Sequence, residues 1–427
     1  MKIYLKLVLL IVILQLKVYG QQSKSLDDFI RFANQENPYV KENANLLKIS
    51  QQQKDLTSAQ LRKPQINLTA DYLFAPYFIN DNKFISVTQN PESNAYGYNI
   101  NLSNGGLYAT QLNISTPLFN AGIVNTYFQQ NDLQNQLLTT NLNVFINDLN
   151  KQITDQFVNA YQFQEQIRYQ QKLILLLNDR KKIVSTLVEK GLFQQNDLLL
   201  LEIEINQKQL SIETGKIALY DAFNKLNNTC LINDTTIFEL QKPLIKQKEL
   251  LQTFNYEIKY RIDSLNILSQ QSIQNLKYKP QLVLFGNTGL NATTTENIAH
   301  NVGMSAGLHL QVPIYDGKQR RITGQQNRLL LENLDFYKSQ TSIQHRNNLI
   351  FLQKQILSTE NTIELFNSQI KSQEDLLKIL QEKVIMGQIS VTDFLNAIEN
   401  YSNSSLDRIQ SQTNLWSLVN QFNATNW

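Results

Sequence analysis

The sequence predicts a mainly helical chain with a small β portion, built as two repeats of helix, strand, strand, long helix and helix. Residues 120–190 contain no proline, and Ile146, Ile153, Ala160, Ile167 and Ile174 recur every seven positions beside Leu142, Leu149, Phe163, Leu177 and Val184. A heptad sustained that far specifies a helix packed along its length against others. At 1.5 Å per residue it would run about 105 Å. Residues 318–386 are again free of proline, with Leu349, Ile356, Ile363, Ile370, Leu377 and Val384 on a seven-residue ladder. Pro117 and Pro313, Ile153 and Leu349, Ile167 and Ile363, Gly191 and Gly387, and Asp197 and Asp393 are each 196 positions apart. One unit is used twice.

The chain opens with Met1, Lys2 and Lys6, an apolar run over 7–16, and Val18-Tyr19-Gly20 before Gln21. A basic start, a short apolar middle and small residues at the exit describe a signal peptide over 1–20, cleaved after Gly20. The apolar run falls short of the ~20 residues a membrane-spanning helix needs. No cysteine near the cut supports a lipid anchor. Cleavage removes three lysines from the 39 basic residues and none of the 36 acidic ones, leaving a neutral chain with no electrostatic case for nucleic acid. The single cysteine, Cys230, reads as a small buried apolar residue. His300, His309 and His345 lie at no metal-ligand spacing, and neither a phosphate loop nor a nucleophile elbow is present. The expectation is a protein without cofactor, metal or catalysis. After cleavage no stretch of 18 apolar residues remains, so any membrane span must be made by strands.

In the first repeat, 21–228, a mixed-polarity helix runs from Leu26 to Arg62, interrupted at Pro38, which suits a first helical turn. Past Pro64 the period becomes two. Ile66, Leu68, Ala70, Tyr72 and Phe74 alternate with polar residues in a strand over about 65–76, and a long polar segment, 80–99, follows. A return strand, about 105–117, puts Tyr108, Thr110, Leu112 and Ile114 on one face and Ala109, Gln111, Asn113 and Ser115 on the other. This alternation fits an outer-membrane barrel strand and equally a half-buried strand of a soluble sheet. A corner leads into the long helix of a hairpin over about 120–228. Gly191 closes that helix, and a tight turn at 192–195 starts its partner near Asn196.

The stretch 229–250 carries Pro243 and no helical period, and is expected to connect the repeats midway along the rods. In the second repeat, 251–427, a helix resumes near Leu251 and stops before Pro280. Strands follow over about 281–291 and 301–313. In the latter, Val302, Met304, Ala306, Leu308, Leu310 and Val312 oppose Gly303, Ser305, Gly307, His309 and Gln311, with His309 read as an ordinary polar residue of the wet face. The long hairpin then spans about 318–424, and Ser390 with Asp393 resembles a capping box at its turn.

The corner Thr116-Pro117-Leu118-Phe119-Asn120-Ala121-Gly122 has a counterpart in Val312-Pro313-Ile314-Tyr315-Asp316-Gly317. The tip Lys190-Gly191-Leu192 matches Met386-Gly387-Gln388-Ile389-Ser390-Val391-Thr392-Asp393-Phe394-Leu395. In this order and at this common offset the chain resembles the TolC family of outer-membrane efflux proteins over essentially all of its mature length. The resemblance implies a fold that is mainly α with a transmembrane β-barrel portion: a homotrimer whose twelve-stranded barrel is continuous with a periplasmic α-helical barrel. It further implies an exit duct of a tripartite efflux or type I secretion system, in the outer-membrane lipid, meeting a periplasmic adaptor protein and an inner-membrane transporter. Aspartates on the family's last helix narrow the periplasmic entrance. Aligned on Gly387, the first falls at Asp393 and the second position is Asn396, halving the charge of any such ring. Asp393 and Asp197 serve equally as first-turn caps. Gly191, Leu192, Gly387 and Ile389 are the candidate adaptor contacts, and Leu192 and Ile389 can also staple their own hairpins. The competing reading is a secreted or surface coiled-coil scaffold with a small soluble sheet.

Overall fold

The computed structural model describes residues 23–86, 88, 91–97, 106–292 and 298–427. The expected signal peptide, 1–20, lies outside them. The elements are α1 (Leu26–Glu36), α2 (Pro38–Arg62), β1 (Gln65–Phe74), β2 (Tyr77–Asn80), β3 (Lys83–Ser86), β4 (Gly106–Leu118), α3 (Ala121–Glu189), α4 (Gln195–Cys230), α5 (Asn255–Asn275), β5 (Gln281–Ala292), β6 (Val302–Gln311), α6 (Gln319–Ile385) and α7 (Val391–Thr425). The chain forms two compact units, one of 44–139 with 258–337 and the other of the remainder, each drawing on both sequence repeats.

The larger unit is helical. Ser25 opens α1 by accepting the Asp28 amide while the Asp28 carboxylate accepts the Ser25 amide, and the Ser25 hydroxyl bond is the main reason the Asp28 carboxyl is held below its usual range. The heptad ladders are where helices meet. Leu149, Ile153, Phe157 and Ala160 of α3 pack with Phe29 and Ala33 of α1 and Phe223, Leu226 and Cys230 of α4. Leu349, Leu352 and Ile356 of α6 pack with Val419 and Phe422 of α7. Ile146, Ile167 and Ile174 are only half-buried, so the buried seam of α3 runs slightly off the ladder read from the sequence.

Residues 231–254 form an irregular strap held by side-chain amides. Gln164 of α3 clamps both backbone groups of Leu240, at 2.8 and 3.0 Å. Asn423 takes the Lys248 amide and donates to the Lys246 carbonyl, and Asn426 does the same for Leu251 and Glu249. Helix α5 starts at Asn255, whose amide is taken by the Trp427 carbonyl at 3.1 Å, instead of near Leu251.

The smaller unit holds the strands. Order β1-β4-β5-β6, all antiparallel, joins the two hairpins through β4 and β5 into a single sheet. Helical segments of this unit are linked by polar contacts, Ser50 with Asn131 at 2.8 Å and Gln130 with Asn266 at 2.8 Å. The segment 80–99, expected to be merely polar, contains part of a third hairpin, β2-β3, whose turn residues Asp81 and Asn82 both take positive φ. That pair between Tyr77-Phe78 and Phe84-Ile85 is a two-residue hairpin signal. Strand β1 stops at Phe74 and β6 at Gln311, so the two edges expected at 76 and 313 are shorter.

Candidate functional site

Register decides which side chains share a face of the four-stranded sheet. In antiparallel pairing, directly opposed residues point the same way. Ile66 opposes Ile114, Leu68 opposes Leu112 and Tyr72 opposes Tyr108. Thr116 and Leu118 of β4 then meet Leu284 and Leu282, which meet Leu308 and Leu310 of β6. One face therefore carries a predominantly apolar layer across all four strands, interrupted by Thr110, Thr116 and Thr288, and it is bare: Leu68 is 71% exposed, Leu308 63% and Met304 87%. The other face is largely polar or small. Asn113 donates to Thr69 at 2.9 Å across β1 and β4, and Ser305 donates to Asn287 at 2.9 Å across β5 and β6. His309 lies on this face opposite Val283. Among the described residues β1 and β6 each have a neighbour on one side only. Such edges invite another strand.

The hairpin tips form the second candidate region, in the larger unit. Both end their first helix in the same way. Gly191 has φ +73 and Gly387 φ +69; the amide of each reaches the carbonyl three residues back, Val188 or Val384, at 2.9 Å. The amides of Leu192 and Gln388 reach five residues back, to Leu187 and Lys383, at 2.9 Å. This is the Schellman arrangement, in which a left-handed residue satisfies the last helical carbonyls. Helices α4 and α7 then start at positions 196 apart. The Asp197 carboxylate accepts the Gln194 amide at 3.0 Å, while Ser390 accepts the Asp393 amide at 3.1 Å and donates to the Asp393 carboxylate at 2.7 Å. Both aspartates are engaged in their own first turns.

Beneath the turns, Leu177, Val184 and Leu201 of the first hairpin pack with Val384, Val391, Phe394 and Ile398 of the second, joined by Phe193 and Ile389. Ile389 thus staples the tips together, as its counterpart Phe193 does. Leu192 stands 68% exposed, and its positional counterpart is Gln388. Asp393 and Asn396, three residues apart on α7, are both exposed. The tip-staple role of Phe193 escaped the sequence reading, although the 196-residue offset to Ile389 marks it.

Among the described residues no helix is long and apolar enough to cross a membrane, and no three metal-ligating side chains come together. The larger unit supplies long helical hairpins, and the smaller unit an antiparallel sheet with one apolar and one largely polar face. Comparison with solved structures places this fold further. The chain is similar to CusC, whose structures concern folding and transmembrane channel formation (12% identity, 95% of this chain and 92% of that one, TM-score 0.70). It is similar to the CmeC outer membrane channel of Campylobacter jejuni (14%, 94% and 85%, TM-score 0.66) and to the MtrE outer membrane channel of Neisseria gonorrhoeae in its open state (13%, 94% and 88%, TM-score 0.67). The resemblance to the TolC family read from the sequence therefore holds, at the level of fold, over nearly the whole chain. No protein-family model and no curated protein matches the sequence.

Proposed function

We propose that the protein is an outer-membrane exit duct of a tripartite efflux or type I secretion system, conducting its cargo passively. The observation that carries this is the bare apolar layer running across four strands, opposed by a polar layer. In water such a patch is a liability; against lipid it is the condition for a barrel wall. The tyrosine pair Tyr72 and Tyr108, with ring centroids 5.3 Å apart, lies toward the end of the sheet away from the helices, where an interfacial aromatic girdle belongs. Open edges do not persist in a bilayer, so the sheet must be closed by other copies. Its two edges run antiparallel to each other, and β1 of one copy can therefore pair with β6 of the next. Three copies give the twelve-stranded barrel of the homotrimer that the family resemblance implies. The helices call for the same partners: Leu329, Phe336, Ile343, Ile350 and Leu357 form a second heptad on α6 that stays exposed.

In this reading the helical part is periplasmic, the tips meet a periplasmic adaptor attached to an inner-membrane transporter, and exposed Leu192, with Gly191, Gly387 and Ile389 shaping the turns, is the contact region. Asp393, Asn396 and Asp197 stand at the entrance, with Asp393 the one charge of the last-helix pair. A soluble coiled-coil scaffold accounts for the heptads but not for the apolar face.

Single-channel recording in a planar bilayer tests this. The wild type is expected to give discrete steps with cation preference, and Asp393→Ala to lower that preference. Steps whose selectivity the substitution leaves unchanged would keep the duct and return Asp393 to capping alone. A protein that stays soluble without detergent and never inserts would sink the duct reading.

A further inference from the structure

The helix-side end of the sheet carries a feature that only one repeat possesses. Between Lys83 and Lys151 the sequence has no lysine or arginine, and between Lys279 and Lys318 it has none. The strands of both hairpins are bare of cations. After β6, however, the apolar alternation continues through Val312 and Ile314, the latter 96% exposed, and is followed at once by Lys318, Arg320 and Arg321. The first corner, 116–125, has no lysine or arginine at all. A cluster needed only to turn a strand into a helix would be expected at both.

These three cations line a cleft of about 590 Å³ together with Asn275, Tyr278 and Tyr315. The Arg320 guanidinium lies over the Tyr278 ring, 5.9 Å from its centroid. No carboxylate lies within salt-bridge distance of the three among the described residues. One acid, Asp316, also lines the cleft, but its carboxylate is taken up locally, accepting the Arg320 amide at 2.8 Å and the Lys318 amide at 2.9 Å. Those bonds, with a further one from the Tyr278 hydroxyl, hold its carboxyl below the usual range, so it stays ionised with its oxygens engaged. Three cations against one such acid leave a positive cleft beside the end of an apolar wall.

We infer that this cleft binds the headgroup phosphate of an anionic phospholipid, with its acyl chains lying along the apolar layer past Ile314 and Leu310. This rests on the proposed barrel, which brings that corner to the headgroup level of the leaflet facing the helices. Arginine suits a phosphate diester through paired N–H donors, and Lys318 adds a point charge. Tyr315, 80% exposed, has the amphipathic ring favoured at an interface. Basic clusters of this kind beside membrane spans recognise acidic headgroups.

Native mass spectrometry of detergent-purified protein titrated with phosphatidylglycerol tests it, beside conductance of the same samples. The wild type should retain about one phosphatidylglycerol per chain. In Lys318→Gln/Arg320→Gln/Arg321→Gln the apparent affinity should fall about a hundredfold, each cation being worth roughly a factor of five near an acidic surface. Lys318→Arg should retain binding, and Arg62→Gln/Lys63→Gln, at the other hairpin's entry, should leave it unchanged. Undiminished binding in the triple variant, or equal loss in the Arg62/Lys63 variant, would overturn the site. Displacement by millimolar inorganic phosphate would overturn the lipid as its source. If the protein conducts while the triple variant binds as wild type does, only the headgroup site falls; if it never inserts, the duct reading falls and the site with it.

Discussion

The two hairpin tips and the two strand-to-helix corners occupy equivalent places in a duplicated unit, yet only the tips match position for position in their backbone. At the tips the helix ends, the left-handed glycines, the Schellman bonds and the following helix starts all keep the 196-residue offset. At the corners it is lost. The first strand runs on to Leu118 and turns at Phe119, φ +55, so that α3 starts at Ala121. The second stops at Gln311, has no regular secondary structure over 312–316 and turns at Gly317 and Lys318, so that α6 starts at Gln319, 198 positions after Ala121. The two corners therefore share a place in the repeat but not a backbone geometry. A tip is fixed by its own backbone hydrogen bonds, whereas a corner answers to whatever surrounds it.

The rods diverge in the same manner, and this offers the sharpest break of the comparison. Phe157 of α3 is 0% exposed within the core with Phe29, whereas its counterpart on α6, Gln353, is exposed. Phe157→Ala should cost about 3–5 kcal/mol, and Gln353→Ala less than about 0.5 kcal/mol, as measured by denaturant unfolding. Equal costs would mean the two seams are energetically alike. Next come the tips. Gly191→Ala and Gly387→Ala should each cost about 1–2 kcal/mol, because φ near +70 crowds a Cβ against the following carbonyl. The effect should be the same at both and confined to the turn amides in hydrogen exchange. A difference of more than about 1 kcal/mol would break the equivalence of the tips.

The smallest effect is one of pH. His345 occupies the position matching buried Leu149, and packs against Phe254 and Tyr256 with ring centroids at 4.2 and 4.9 Å. Burial lowers its pKa, opposed by nearby Glu257. With the folded value below the free one, the unfolded chain takes up the proton first. The stability is present above about pH 6.5 and is lost as pH falls through the lowered folded value. His345→Leu, which restores the first repeat's residue, should flatten the dependence of the unfolding midpoint between pH 7.5 and 5.5. An unchanged slope would remove His345 from that role.

Much of this was legible in the sequence because it is periodic. Heptads gave the long helices to within a residue or two, and period two gave the faces of the sheet, since Leu68, Leu112, Leu284 and Leu308 all alternate with polar or small neighbours or continue such a strand. What the pattern could not show was pairing across hairpins: that β4 meets β5 depends on register between segments more than 160 residues apart. The strap escaped for a different reason. Its order comes from single amides, Gln164, Asn423 and Asn426, which have no period. At the tips, spacing marked Asp197 and Asp393 as first-turn residues but not the partition between half-buried Phe193 and Ile389 and exposed Leu192, which follows from how one hairpin packs on the other.

If the sheet is one third of a closed barrel, its edges β1 and β6 meet between copies, and edge-to-edge disulfide trapping reads that contact. One cysteine is placed at Thr69 on β1, paired in turn with one at Gly303, Ser305 or Gly307 on the same polar face of β6. The native Cys230 is buried and its thiol is pushed up to about 12 by desolvation, so it stays out of the reaction. Oxidation in detergent should convert at least one of the three pairs to covalent dimer and trimer, and nothing larger. Folded protein that remains monomeric in all three pairs, or that links into an open ladder beyond three chains, would contradict the barrel.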